Sequence, residues 1–215
     1  MRLHQRRGLA LVLVCLATTS GCLGVFSAGV TTFEAAPADV GDGAAAETGF
    51  ERNGTRDSVV TRQLGPESAS KTVRVVSKVT TYEKPLEIPR LGSVRLGIFS
   101  VISTPAVEVA GQTFNPIGEY SNDRLVDLVT DRFGSFSGLE RVRSRQVVVR
   151  GTETTVTTYA ATTTARGQEV PVFVHVTRLR DGDDFLVGIG VYPRAREQRA
   201  EITTLLRAIE HPAEA

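Results

Sequence analysis

The chain has 215 residues, a formal net charge of +1, two cysteines and no tryptophan, with 41 % hydrophobic and 23 % charged residues. That length suits one substantial domain rather than two, and a domain of this size holds together by burying apolar surface without help from a disulfide or a metal. No long acidic or basic block occurs, so nothing points to a nucleic-acid partner and none is expected.

The chain opens on "MRLHQRR", a positive stretch, followed by the ten-residue apolar run "GLALVLVCLA" and the small residues "TTSG". Arg2, Arg6 and Arg7 give residues 1–21 a charge of +3 and leave the remainder near −2. This is the layout of an export signal, and the run is far shorter than the roughly 20 apolar residues that a spanning helix needs. The expected division is a signal peptide over 1–21 cleaved after Gly21, a lipid-anchored tether over 22–30, one domain over 31–211 and a tail over 212–215. Cys15 leaves with the signal, whereas Cys22 becomes the first residue of the mature chain, with no second thiol to pair with. "TSGC" resembles the lipobox of prolipoproteins, although Thr19 stands where an aliphatic residue is usual. Arg6-Arg7 followed by Gly8-Leu9 resembles a twin-arginine export signal, so the export route stays open. The expected location is outside the cell, on the outer face of the cytoplasmic membrane, with the membrane as partner through a lipid on Cys22.

The mature chain reads mostly as strands. "TTFEA" suits a strand, and Pro37 suits the start of a helix that Gly41 and Gly43 keep short. "RDSVVTRQL" and "KTVRVVSKVTTYE" form a hairpin around "GPESAS". "SVRLGIFSVIST" is the most apolar strand, stopped by Pro105, and a tight hairpin turns at Ala110-Gly111. In "SNDRLVDLVTDRFG" the apolar residues Leu125, Val129 and Phe133 recur at helical spacing, with Ser121 or Asn122 as cap and Gly134 as stop. Two further hairpins follow, the second turning at Asp181-Gly182. Ile202, Leu205, Leu206 and Ile209 mark a terminal helix. The expected fold class is α+β: an antiparallel β-sheet with two amphipathic helices packed on one face. Its topology resembles the PsbP/Mog1 type of sandwich, a likeness of fold that carries no function.

The segments "TSGCLG", "ETGFE", "TYEKPL", "FSVISTPAVEVAGQTFNPIGEYSN", "GTETTVTTYAA" and "GDDFLVGIGVYP" run in order along nearly the whole chain. Together they resemble a family of haloarchaeal predicted lipoproteins without an assigned function. The resemblance implies an archaeal cell-surface protein living in high salt, and it supplies no catalytic residues.

No G-x-S-x-G, H-E-x-x-H, C-x-x-C or P-loop motif occurs, and no catalytic residue, metal or cofactor is expected. His175, in "VFVHVT", reads first as a structural histidine sharing a side with Phe173 and Thr177, and second as a ligand or base. His211 reads as a charge partner for the end of the last helix. Asp181, Asp183 and Asp184 have the composition of a cation loop but lack its further ligands, and read as a solvated turn. Arg141, Arg143 and Arg145 alternate, which on a strand makes one basic stripe. Such a stripe either guards a sheet edge or docks on anionic headgroups or an acidic partner. Asn53-Gly54-Thr55 is an N-glycosylation sequon in a loop, or a plain turn. Phe114, Asn115 and Tyr120 form either an interaction surface or packing under a helix start. The expected function is a lipid-anchored, non-enzymatic module that binds a partner protein or a small ligand. The alternatives are an enzyme or metal-dependent factor using His175, and a carrier of an apolar ligand.

Overall fold

β-Branched and aromatic residues stiffen long stretches of this chain toward extended backbone. The computed structural model describes residues 30–64, 71–88, 92–109, 112–113, 115–133, 136–165 and 167–213. The expectations placed on the signal, on Gly21, on Cys22 and its tether, and on Phe114 lie outside the described residues. In chain order the elements are β1 (Val30–Glu34), β2 (Asp39–Val40), α1 (Asp42–Thr48), β3 (Glu51–Leu64), β4 (Lys71–Ile88), β5 (Gly92–Pro105), β6 (Glu108–Val109) and β7 (Gln112–Thr113). A 3-10 turn (Pro116–Gly118) leads into α2 (Asn122–Phe133), followed by β8 (Phe136–Val149), β9 (Thr152–Ala165), β10 (Gln168–Asp181), β11 (Asp184–Pro193), α3 (Arg199–Arg207) and β12 (Ile209–Glu210).

Two antiparallel meanders make the main sheet. One is β3-β4-β5, the other β8-β9-β10-β11, and β5 pairs antiparallel with β11 to join them. β3 occupies one edge of β4 along Lys71 to Glu83. The other edge is shared: β5 takes Lys78 onward, while β1 runs parallel beside Thr72 to Val76. The eight-stranded sheet is therefore mixed, because the chain between β1 and β4 crosses over through α1 and β3 and can return in the same direction.

This corrects the expected α+β class. Strand makes up 65 % and helix 17 % of the described residues, so the domain is mostly β, and the PsbP/Mog1 likeness falls with the α+β reading. The helices are short, and the strands run to 14–18 residues because polar stretches such as "ERNGTRD" and "SGLERVRS" continue the ladders instead of forming loops. The helices also sit on both faces rather than one. On the first face, α1 buries Ala45 and α3 buries Ile202, Leu205 and Leu206 in one core with Tyr82, Phe99, Val101, Val156, Leu186 and Tyr192. On the second, Leu125 and Val126 of α2 meet Tyr159, Val172, Val174, Val187 and Ile189.

Glycine decides how closely α3 approaches. In "VGIGV" of β11 the side chains of Val187, Ile189 and Val191 point to the α2 face, and Gly188 and Gly190 point to α3. A Cβ on Gly190 would sit 2.8–3.1 Å from three atoms of Ile202, and one on Gly188 would sit 2.5 Å from Leu206 Cδ2. Contacts that short force the helix or its side chains to shift, so the paired glycines set the helix-to-sheet spacing.

Candidate functional site

The α2 face of the sheet is only partly covered. Asn122 donates its amide to the Thr155 carbonyl (2.9 Å) and Thr157 Oγ1 (3.0 Å), and Tyr159 donates its hydroxyl to Asp123 (2.6 Å). Ser121 accepts from the Arg124 amide (3.2 Å) and caps the helix as its sequence position predicts. These bonds hold α2 over β9 and β10, leaving β4 and β5 without a helix over them on the same face. There an open groove of about 380 Å³ forms, with Ile98, Ile102, Ile189 and Val191 as an apolar floor. Phe136, the polar side chains of Thr55, Arg56, Thr81 and Ser100, and a bulge in β3 at Asn53-Gly54 also line it. One end is polar: Glu83 accepts from Asn53 Nδ2 (3.1 Å) and pairs with Arg95 (3.1 Å). Apolar residues interspersed with polar ones, in a volume of a few hundred Å³, give the groove the size of a small-ligand site.

His175 lies on the other face, 1 % exposed. Its Nδ1 is 3.0 Å from Thr158 Oγ1 and its Nε2 3.1 Å from the Tyr192 hydroxyl, which in turn donates to Glu197 (3.2 Å). One proton arrangement satisfies every atom: Thr158 donates to Nδ1, Nε2–H donates to Tyr192, and Tyr192 donates to the carboxylate. The ring is thereby neutral. Burial, with the nearby Arg145 charge second, pushes its pKa down to about 4. Burial and the Glu197 charge hold the Tyr192 phenol protonated, while Arg199 draws the Glu197 carboxyl down to about 2. The histidine is enclosed and its nitrogens are occupied by hydroxyls, so it faces neither a cavity nor a carboxylate.

His211 is held differently. Its Nδ1 meets Asp181 (2.9 Å), and its Nε2 meets Asp184 (3.0 Å) and Ser103 (3.3 Å). Arg150 bonds Asp181 (3.3 Å) and the His211 carbonyl (2.6 Å), and the Ala36 amide donates to Asp184 (3.0 Å). The expected solvated Asp turn is thus corrected at Asp184, which is 7 % exposed because the C-terminal strand folds over it. Serine, histidine and aspartate recur here in a triad-like set, yet Ser103 is fully buried and offers no approach to a substrate. Asp181 and Asp184 meet opposite ring nitrogens, and among the described residues no group of three His, Cys, Asp or Glu could hold a metal ion.

The remaining expected site residues do not converge. Arg141 pairs with Tyr159 and Arg143 with Thr158, so a bulge at Val142 puts them on opposite faces and breaks the stripe. Arg141 binds Asp123 (2.9 Å) beside α2, while Arg143 and Arg145 face α3. Asn53 and its sequon lie in strand β3 rather than in a loop, with the side chain exposed. Asn115 is buried: its amide donates to Thr104 (3.0 Å) and the Pro105 carbonyl (2.6 Å), and its Oδ1 accepts from Ile117 (3.2 Å). Tyr120 packs at the α2 core beside Arg124. Sequence reasoning missed the groove. Its signal was the two-sided apolar character of "IFSVIST" and "LVGIGVY", which says that both sheet faces are used.

A mixed β-sheet with helices on both faces and an open groove on one defines a mostly-β domain. Over residues 37–210 the chain matches the family described as a domain of unknown function (DUF6517), and it belongs to that family. No curated protein matches the chain. Among the described residues no helix is long and apolar enough to cross a membrane.

Proposed function

We propose that the protein is an exported, lipid-anchored module on the outer face of the cytoplasmic membrane, and that its domain over 31–211 binds a small amphiphilic ligand rather than transforming one. The anchor is a lipid on Cys22, supported by the signal-like N-terminus and the TSGC sequence. The carrying observation is the groove: Ile98, Ile102, Ile189 and Val191 accept an apolar body, and Asn53, Glu83 and Arg95 meet a polar end. Binding is favoured over chemistry because His175 and His211, the histidines of the mature chain, are both spent on internal bonds.

One experiment with two readouts tests this reading. Expressed in an archaeal host, the chain fractionates with membranes, and Cys22→Ser releases it. The purified chain binds the amphiphile 1-anilinonaphthalene-8-sulfonate saturably, and Ile98→Glu, or the milder Arg95→Gln, weakens that binding by about tenfold, roughly 1.4 kcal/mol. Unchanged membrane retention overturns the anchor. Equal dye binding by the wild type and both groove variants overturns the ligand site.

A further inference from the structure

The face of the sheet beneath α3 holds positive charge that the described chain does not balance. Strand register sets Arg143 opposite Thr158 and Arg145 opposite Val156, so both arginines project toward α3. The helix brings Arg199 at its start and Arg207 in its last turn. The local carboxylate, Glu197, is taken by Arg199 at 2.8 Å. Arg143 and Arg207 are exposed, and neither they nor Arg145 form an ion pair or hydrogen bond among the described residues. Arg145 is the most telling. Its Nε and Nη2 atoms are buried and meet no acceptor. A buried donor without a partner is costly, and a guanidinium more so than a neutral group. The neighbouring ring cannot help, because His175 is neutral and both its nitrogens are occupied. Burial, followed by the charges of Arg199, Arg207 and Arg143, weakens the hold of Arg145 on its own proton.

We propose that Arg143, Arg145, Arg199 and Arg207 form a binding site for an oxyanion of the phosphate or sulfate class. Guanidinium forks match the oxygens of such a group and bind it through paired charge-assisted hydrogen bonds. The anion supplies both the missing negative charge and the acceptors that Arg145 lacks. Arg143 and Arg207 sit on long exposed side chains that can turn to admit it, and Arg199 keeps one fork edge for Glu197. The site lies on the opposite face from the groove, so either can fail while the other stands.

The oxyanion can come from solution or from a lipid headgroup, and two arms of one experiment separate these sources. In the first arm, the purified chain is titrated calorimetrically with inorganic phosphate at fixed ionic strength. In the second, it is sedimented with phosphatidylcholine vesicles with and without phosphatidylglycerol. The double change of the exposed pair, Arg143→Gln with Arg207→Gln, preserves the core, and Arg62→Gln on the far edge strand serves as the control. Saturable phosphate binding that the double variant weakens at least tenfold, with Arg62→Gln unchanged, supports a soluble ligand. Phosphatidylglycerol-dependent sedimentation that the double variant abolishes supports a headgroup. Binding that is equal in the double variant and the control, or absent with both probes, overturns the site.

Discussion

His175 and His211 are 1 % and 7 % exposed, and each joins elements far apart in sequence, yet their electrical surroundings are opposite. His175 is buried among hydroxyls, and that burial, followed by the nearby charges of Arg145, Arg199 and Arg143, disfavours a proton on its ring. His211 sits between two carboxylates, Asp181 and Asp184, with Arg150 behind one of them. The ring thereby bridges two acidic side chains and the Ser103 hydroxyl, which occupy both of its nitrogens. The first histidine lies below an arginine patch in which the buried Nε and Nη2 of Arg145 meet no acceptor. The second closes a polar network in which both its ring nitrogens have partners, and it ties β10, β11, β5 and the chain after β1 to the C-terminus. Residues of one type thus serve opposite ends, and of these two surroundings the one beside His175 holds buried donors that meet no acceptor.

The largest test of this contrast is removal of His211. His211→Ala leaves Asp184 buried beside Asp181 without the ring between them, and uncovering a buried charge in this way costs about 3–5 kcal/mol. Urea unfolding at neutral pH reads this directly. Adding Asp184→Asn removes the stranded charge and is expected to recover part of the loss, a coupling that a double-mutant cycle measures. A loss below about 1 kcal/mol would show that the network is peripheral to stability.

The second test is pH. With its pKa near 4 in the fold and near 6.5 when exposed, His175 takes up a proton more readily after unfolding. Its contribution is therefore fully present above pH 6.5 and is lost as pH falls toward 4. The loss at pH 4 is roughly 3 kcal/mol, and it adds to whatever the carboxylates contribute. His175→Gln keeps hydrogen-bonding capacity but cannot titrate. Its stability is expected to fall less steeply between pH 6.5 and 4 than that of the wild type. Parallel curves would place the acid sensitivity elsewhere.

How much of this was legible in the sequence depended on the range of the interaction. The hairpins at "GPESAS", Ala110-Gly111 and Asp181-Gly182 and the Ser121 cap of α2 are local, so turn and cap chemistry announced them. The parallel pairing of β1 with β4 joins residues about forty positions apart, and no local signal encodes it. The bulge at Val142 moved Arg141 off the face of Arg143, since one extra residue reverses the side-chain alternation on which the stripe rested. His211 followed the terminal helix as expected, but its partners lie 27 and 30 residues back. The groove depends on where α2 stops across the sheet, a tertiary fact that periodicity does not carry.

The smallest effect separates the His175 chain from its surroundings. Tyr192→Phe keeps the ring that stacks on His175 at 5.3 Å and removes only the hydroxyl between Nε2 and Glu197. The Nε2–H then lacks an acceptor in a dry site, which costs about 1–2 kcal/mol. The ring can recover by shifting its proton to Nδ1 and donating to Thr158, whose hydroxyl must then turn to accept. That leaves Nε2 as a bare acceptor facing the phenyl edge. Nitrogen NMR of the imidazole distinguishes the two tautomers. Wild-type protein is expected to show the Nε2–H form and Tyr192→Phe a shift toward Nδ1–H, with the loss of stability at the lower end of that range. An unchanged tautomer and an unchanged unfolding curve would mean that the Tyr192 hydroxyl does not set the proton position, and the directed chain from Thr158 to Glu197 would have to be abandoned.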